Sequence, residues 1–196
     1  INSGTRLKID SSVTLTVTHI INSGIIDNNG ILVIGPGGFD NYNLISNNIG
    51  ATFNMTTANN YNEPAGTIFN IGTININNGV TVDNSGMINN NSGAKINNNN
   101  GATIINNSGG TIDSSGTINN NNGATITNNS GGTIANSGTI TNNNGATITN
   151  NSGGTIDSSG TINNSGTITN SGTISNYLNA IITNTATITN SGTITS

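Results

Sequence analysis

The feature that most constrains the fold is a series of isoleucines spaced at intervals of 8, 8 and 6 residues. The three intervals together make a period of 22 residues, and that period repeats. Such a period is typical of a chain that winds round a three-sided tube and buries one apolar side chain on each side. The sequence therefore predicts an all-β fold, a three-sided parallel β-helix (β-solenoid) with rungs of about 20–24 residues and with 6- and 8-residue sides. The isoleucines of the predicted core are Ile96, Ile104, Ile112, Ile118, Ile126, Ile134, Ile140, Ile148, Ile156 and Ile162.

The composition supports a β-structure rather than a helical one. Asn accounts for 45 of the 196 residues and Gly for 27, while only 5% of the residues are charged. Asn, Gly, Ser and Thr are poor helix formers, which argues against helices. Low-complexity polar sequences are often disordered because they bury too little apolar surface, but disorder imposes no register on isoleucine. The strict register therefore favours a folded tube over a disordered chain.

The composition also excludes several kinds of site and partner. The chain has no Cys, one His and three Lys or Arg residues, with a formal net charge of −4 at pH 7. Disulfides and structural zinc are therefore excluded, and we expect no metal and no cofactor. The lack of a basic patch argues against nucleic acid as a partner. No apolar run approaches transmembrane length, so we expect no membrane insertion.

Each isoleucine of the series belongs to a pentad of the form small-Thr-Ile-x-Asn. Gly or Ala stands two residues before the isoleucine, and Asn or Ser stands two residues after it. Residues two apart in a strand share a face, so all three positions are predicted to point inward. Identical amides stacked at strand spacing form ladders. The predicted Asn ladders contain Asn106, Asn128, Asn150, Asn120, Asn142 and Asn164.

The register divides the chain into three parts. Residues 1–34 alternate apolar and polar side chains and are predicted to form N-terminal rungs or a cap. Residues 35–66 contain both prolines and most of the aromatic residues and break the pattern, so we expect an irregular loop or a lateral insertion there. Residues 67–196 are predicted to form the regular triangular solenoid. Because the repeat continues to Ser196 without a change of character, we expect no cap at the C-terminus.

The repeats resemble those of a known class of proteins. The segments INSGIIDNNGILVIG, NNSGGTI and NSGTIT are similar to the Asn/Gly/Thr-rich parallel β-solenoid repeats of prokaryotic cell-surface proteins, of the filament, sheath or adhesin type. The similarity covers nearly the whole chain apart from residues 35–66. It implies an extracellular or cell-surface location, and it is specific for architecture rather than for activity.

The outward positions beside each isoleucine are the candidate sites for binding. On one predicted wall they form a flat Thr-x-Thr array that resembles the surface of ice-binding solenoids. Thr also has a high β propensity, so a purely structural role is an alternative explanation. Asp113 and Asp157 fall in one column, but no cationic side chain stands near them in the sequence pattern, and we expect no catalytic residues. The residues of the candidate ice or ligand face are Thr125, Thr127, Thr147, Thr149, Thr167 and Thr169.

The sequence thus favours a non-enzymatic extracellular structural protein. We expect its copies to self-assemble, head-to-tail or laterally, into a filament, sheath or surface layer, because a nearly uncharged surface suits assembly better than dispersion. The alternative is a binding module. It would be either an adhesin stalk with its contact surface in residues 35–66 or an ice-binding solenoid that uses the Thr-x-Thr face. The expected partners are copies of the chain itself and, in the adhesin case, cell-surface or matrix components.

Overall fold

The computed structural model of the protein, which describes residues 1–57 and 59–196, is a parallel β-solenoid. Three short strands form one turn, or rung, and each strand pairs in parallel with the third strand along the chain, as β13 does with β16. This topology gives three walls, which we call wall A, wall B and wall C in the order in which the chain meets them. The described residues contain no helix that is long and apolar enough to cross a membrane. The predicted fold class is confirmed.

The strands of each wall have the following bounds. Wall A contains β1 (Arg6–Ile9), β3 (Ile25–Asn28), β5 (Leu44–Asn47), β8 (Thr67–Asn70), β11 (Met87–Asn90), β14 (Thr111–Ser114), β17 (Thr133–Asn136), β20 (Thr155–Ser158), β23 (Thr173–Asn176) and β26 (Thr193–Thr195). Wall B contains β6 (Thr52–Met55), β9 (Thr73–Ile76), β12 (Lys95–Asn98), β15 (Thr117–Asn120), β18 (Thr139–Asn142), β21 (Thr161–Asn164) and β24 (Ile181–Asn184). Wall C contains β7 (Asn59–Asn62), β10 (Thr81–Asn84), β13 (Thr103–Asn106), β16 (Thr125–Asn128), β19 (Thr147–Asn150), β22 (Thr167–Asn170) and β25 (Thr187–Asn190). Two longer strands, β2 (Thr14–Asn22) and β4 (Ile31–Asn41), each run through walls B and C.

Residues 35–57 and 59–66 form rungs of the solenoid, in place of the loop or insertion that the sequence predicts for residues 35–66. The second half of β4 together with β5, β6 and β7 continues all three walls in register. The aromatic side chains Phe39 and Phe53 occupy inward positions and pack in the core with ring centroids 5.6 Å apart. Pro64 stands in the turn between walls C and A, and Pro36 lies within β4, between the residues where its pairing with β2 shifts register, so neither missing amide hydrogen interrupts a ladder. Large rings and prolines are therefore accommodated inside the tube.

The core is built from the inward side chain at the second position of each strand. All ten isoleucines of the 22-residue series are buried, and each stacks on its equivalent in the next rung, as Ile104 does on Ile126 and Ile126 on Ile148. A narrow apolar space runs along the axis between the three columns. Burial of one such side chain contributes roughly 1.5–3 kcal/mol, so the stacked columns supply the main stabilisation of a tube without disulfides.

Asn side chains form hydrogen-bonded ladders inside the corners, as the pentad predicts. The ladder that follows wall C is continuous, and each amide Nδ2 donates to the Oδ1 of the next rung at 2.7–2.9 Å. In the middle of it, Asn128 also donates to the carbonyl oxygens of Gly132 and Thr155. Because these amides are almost fully buried, each satisfied bond prevents a desolvation cost of about 1–3 kcal/mol. The members of the ladder are Asn22, Asn41, Asn62, Asn84, Asn106, Asn128, Asn150, Asn170 and Asn190.

The other two ladders are interrupted, and each interruption leaves a buried acceptor without a donor. Beyond wall A, Ser114 accepts from Asn90 Nδ2 at 3.1 Å, but its hydroxyl does not reach Asn136, whose Oδ1 has no hydrogen-bond partner. Beyond wall B, the ladder starts at Asn98, because Ile76 occupies the same position in the preceding rung and Asn98 Oδ1 receives no donor. Ladder continuity thus differs from one corner to the next.

Close approach to the preceding rung explains the glycine that precedes the isoleucine at many corners. At the two-residue corner Ser137-Gly138, a Cβ on the glycine would clash with the carbonyl oxygen of Gly116 in the preceding rung. Corners of four residues carry Ala at the same position in some rungs, as at Ala124 and Ala146, and Gly in others, as at Gly110. The longer corners turn through glycines with positive φ, such as Gly145 at 77°, where other L residues are strained.

Candidate interaction surfaces on the walls

The six threonines of the candidate face lie together on wall C. Strands β16, β19 and β22 pair in register, so that the first outward column contains Thr125, Thr147 and Thr167 and the second contains Thr127, Thr149 and Thr169. Both columns continue to Thr187 and Thr189 in β25. Successive rungs are about 4.8 Å apart and the two columns about 6.6 Å apart. The array is therefore a regular grid of eight threonines on a flat sheet.

The hydroxyl groups of this grid are available for hydrogen bonds to solvent or to a partner. None of the eight makes a hydrogen bond with another group in the described part of the chain. The side chains are part-buried by one another or exposed, so each presents a methyl and a hydroxyl group to solvent. The grid ends at Ile105, which stands where the next threonine of the second column would be. The grid can therefore form hydrogen bonds at regular intervals over four rungs.

Walls A and B lack such a grid because their second outward columns differ. On wall B this column contains asparagines that bond along the wall, with Asn119 donating to Asn97 Oδ1 at 2.9 Å and Asn97 donating to Asn75 in turn. These outer amides donate toward the N-terminal rung, opposite to the inner ladders. On wall A the column contains Asp113, Ala135 and Asp157. Only wall C therefore presents paired Thr columns with unused hydroxyls, within residues 1–57 and 59–196.

The two carboxylates of wall A are not accompanied by other reactive groups. Asp113 and Asp157 lie two rungs apart, about 9.6 Å, with Ala135 between them. Neither forms an ion pair or a hydrogen bond within the described residues. The same part of the chain contains no group of three His, Cys, Asp or Glu side chains that could hold a metal ion. The wall offers neither a base nor a substrate-binding cation beside these acids.

Most of the charged side chains lie in the first rungs, and most of them are paired. Arg6 lies 3.7 Å from Asp27, and Lys8 donates to Asp10 at 2.8 Å, a hydrogen bond that raises the pKa of Lys8 above its ordinary value. His19 Nε2 lies 3.5 Å from Asp40 Oδ2, and its Nδ1 lies 2.7 Å from the carbonyl oxygen of Gly37. These exposed pairs contribute little to stability.

Lys95 is the Lys or Arg residue that forms no ion pair within the described residues. It is exposed on wall B at the start of β12, between Thr73 and Thr117 in the first outward column. Its neighbours are short and uncharged, so the ammonium group projects beyond the surface of the wall.

An acidic and aromatic patch lies on wall C below the Thr grid. Asp40, Tyr61 and Asp83 are consecutive members of the second outward column. Tyr61 is 39% exposed, and its hydroxyl accepts a hydrogen bond from Asn59 Nδ2 at 3.3 Å. We call these three residues the Tyr61 patch. Sequence reasoning missed it because residues 35–66 were assigned to a loop. Asn60 occupies an isoleucine position there and hides the register that would have aligned Tyr61 with Asp83.

No protein-family model matches the chain, and no curated protein matches it. One solved structure that does match is the crystal structure of a TibC-catalysed, hyper-glycosylated TibA fragment. That structure is 18% identical, and the match covers 100% of this chain and 89% of that one with a TM-score of 0.22. This similarity is too low to carry any inference about activity. The function is therefore inferred from the surfaces of the chain itself.

Proposed function

We propose that the chain is a non-enzymatic structural protein of the cell surface or the extracellular space. In this proposal its copies self-assemble, head-to-tail or laterally, into a filament, sheath or surface layer. The observation that carries the proposal is the near absence of charge from three flat β-walls. Between residues 84 and 196, only Lys95, Asp113 and Asp157 are charged.

Flat walls of this kind favour lateral contact between copies. Soluble β-proteins commonly prevent association by placing charged side chains on exposed sheets, and a net charge away from zero keeps copies apart. Here the outward positions of all three walls are mainly Thr and Asn, whose hydroxyl and amide groups can bond to the same groups of another copy. Two walls can therefore meet without electrostatic repulsion.

The interior suits a mechanical role. Backbone ladders connect every rung to the next, and the continuous amide ladder runs from Asn22 to Asn190. Each rung contacts only its neighbours, so resistance to bending is distributed along the tube. A stiff rod with bonding walls is an appropriate building block for a filament or layer.

Sedimentation velocity over a range of protein concentrations, combined with electron microscopy of the same samples, tests the proposal. We expect the weight-average mass to rise with concentration and micrographs to show filaments or sheets. A matched variant carrying Thr133→Asp, Thr141→Asp and Thr149→Asp adds one negative charge to each wall without touching the core and takes the formal net charge further from zero, so we expect it to stay dispersed. Dispersed monomers of the unmodified protein at millimolar concentration would refute the proposal.

Binding of a periodic surface by the Thr grid is a second candidate function. It is favoured by the eight unused hydroxyls at about 4.8 Å and 6.6 Å intervals, which can organise a lattice of water as in ice. Thermal hysteresis of the purified protein measures this activity. We expect Thr147→Lys, in the centre of the grid, to abolish it and Thr139→Lys, on wall B, to preserve it. Equal hysteresis in both variants, or none in the unmodified protein, would exclude ice binding.

Adhesion through residues 35–66 is a third candidate function, and fewer exposed side chains support it than support the Thr grid. The exposed aromatic side chains of this segment are Tyr42 and Tyr61, on rungs that are otherwise built into the tube. In this version the solenoid is a stalk, and its partner is a cell-surface or matrix component. Retention of the protein on cells or matrix after Tyr61→Ala and Tyr42→Ala would exclude this segment as the contact.

A further inference from the structure

We propose that the Tyr61 patch on wall C of one copy binds Lys95 on wall B of a second copy, and that this contact sets the register of lateral assembly. The inference rests on the proposed self-assembly and adds which walls meet and through which residues. It follows from the opposite charges of the Tyr61 patch on wall C and of Lys95 on wall B, since both walls carry few other charged residues.

The Tyr61 patch has the chemistry of a cation site on a flat surface. Asp40 and Asp83 stand one rung on either side of Tyr61, so both carboxylates are about 4.8 Å along the wall from the ring. Asp83 has no ion-pair or hydrogen-bond partner within the described residues, and the Asp40 carboxylate lies 3.5 Å from His19 Nε2. An ammonium ion above the Tyr61 ring would gain a cation–π contact and two opposite charges.

Lys95 supplies the complementary group. It is the cation whose charge is not compensated by an Asp or Glu of the same copy within the described residues. A lysine on a long flexible stem can reach over the short side chains of Thr73 and Thr117 that flank it. The first outward column beside the patch on wall C contains Gly38, Asn59 and Thr81. Short uncharged residues therefore stand beside both partners in the first outward column, and the two walls can approach closely there.

The contact joins two different walls, so it is heterologous. A copy that uses wall C to bind one neighbour keeps its own Lys95 on wall B for the next neighbour. Heterologous contacts that do not close propagate, whereas a contact of one wall with itself would stop at a dimer. The arrangement thus provides lateral growth with a defined stagger between copies.

Charge exchange between the two walls tests the inference. Lys95→Glu alone and Asp83→Lys alone should each weaken self-association about tenfold, the combined effect of an exposed ion pair and a cation–π contact. The double variant Lys95→Glu/Asp83→Lys restores an ion pair but not the cation–π contact, so it should recover only part of the affinity. An equimolar mixture of the two single variants should form pairs with the affinity of the unmodified protein, because Lys95 of the Asp83→Lys variant then meets the intact patch of the Lys95→Glu variant. Sedimentation velocity at 0.05 M and 0.5 M NaCl measures the affinities, and we expect the higher salt to weaken association of the unmodified protein.

Asp113→Lys is the control for the Asp83→Lys variant. It makes the same charge change on wall A and should leave the affinity unchanged. Far-UV circular dichroism of each variant establishes that the solenoid is folded, as expected for outward positions. If the unmodified protein associates but the single reversals weaken it no more than Asp113→Lys does, or the mixture of the single variants fails to recover the affinity, the inference is wrong while the proposed function stands. If the unmodified protein does not associate at all, both are wrong.

Discussion

Closing the gap in the wall A ladder should stabilise the protein. Ser114 stands where Asn occurs in most other rungs, and it leaves the buried Oδ1 of Asn136 without a donor. In Ser114→Asn the new amide would accept from Asn90 Nδ2 and donate to Asn136 Oδ1, as equivalent amides do in the continuous ladder. The position has room for Asn, because Asn136 itself precedes a corner of the same length, Ser137-Gly138.

The magnitude follows from the group that becomes satisfied. A buried acceptor without a donor costs about 1–3 kcal/mol. Fixing the longer side chain of Asn in one rotamer costs less than about 1 kcal/mol, because the corner already confines it. We therefore expect Ser114→Asn to raise the free energy of unfolding by about 1–2 kcal/mol. For a chain of this length that corresponds to an increase of about 2–8 °C in the melting temperature.

Urea unfolding followed by far-UV circular dichroism, at fixed low protein concentration, measures the change. The matched control is Ser175→Asn, which places the same substitution at an outward position of wall A and should alter stability by less than about 0.5 kcal/mol. The reasoning is refuted if Ser114→Asn is no more stable than this control. It is supported further if the side-chain amide protons introduced by Ser114→Asn are protected from hydrogen exchange, because they would donate to the buried Oδ1 of Asn136.

Three other substitutions probe the core, the continuous ladder and the corners by the same urea assay. Ile134→Ala should lower the free energy of unfolding by about 2–5 kcal/mol, whereas Thr133→Ala, at the neighbouring outward position, should change it little. Equal effects would mean that Ile134 does not point inward and Thr133 outward. Asn128→Ala should cost about 2–6 kcal/mol, because it deprives both Asn150 Oδ1 and the Thr155 carbonyl of a donor; a cost under 1 kcal/mol would contradict this account. Gly138→Ala should cost about 1–3 kcal/mol through the clash with the preceding rung, and unchanged stability would show that the corner relaxes.

Much of the fold could be predicted from the sequence because solenoid contacts are periodic. The partner of Ile104 in the next rung is Ile126, so the contact is visible as a spacing. The same holds for the inner amides, since Asn106 and Asn128 are related by the same 22 residues. The candidate Thr grid also follows from spacing, because Thr127 and Thr149 are equivalent positions of successive rungs.

The early rungs could not be predicted in the same way. Phe39, Phe53 and Asn60 occupy positions that hold Ile, Val or Leu elsewhere in the columns, so the pattern on which the prediction depended is absent there. Strands β2 and β4 also run through two walls without a regular corner. Large side chains in the tube were consequently attributed to a loop outside it.

The sequence by itself determined the three-sided parallel solenoid, its Ile core and its Asn ladders, because each of these depends on residues one turn apart. The tertiary structure alone decided how residues 35–66 join the walls, where the ladders are interrupted and which charged groups share a wall. Asp40, Tyr61 and Asp83 become neighbours only through pairing across rungs of unequal length. The physical reason is that corner length varies from rung to rung while strand pairing stays in register. Where the inward Ile, Val or Leu of a rung is replaced by another residue, the number of residues along the chain therefore no longer indicates which wall a residue lies on.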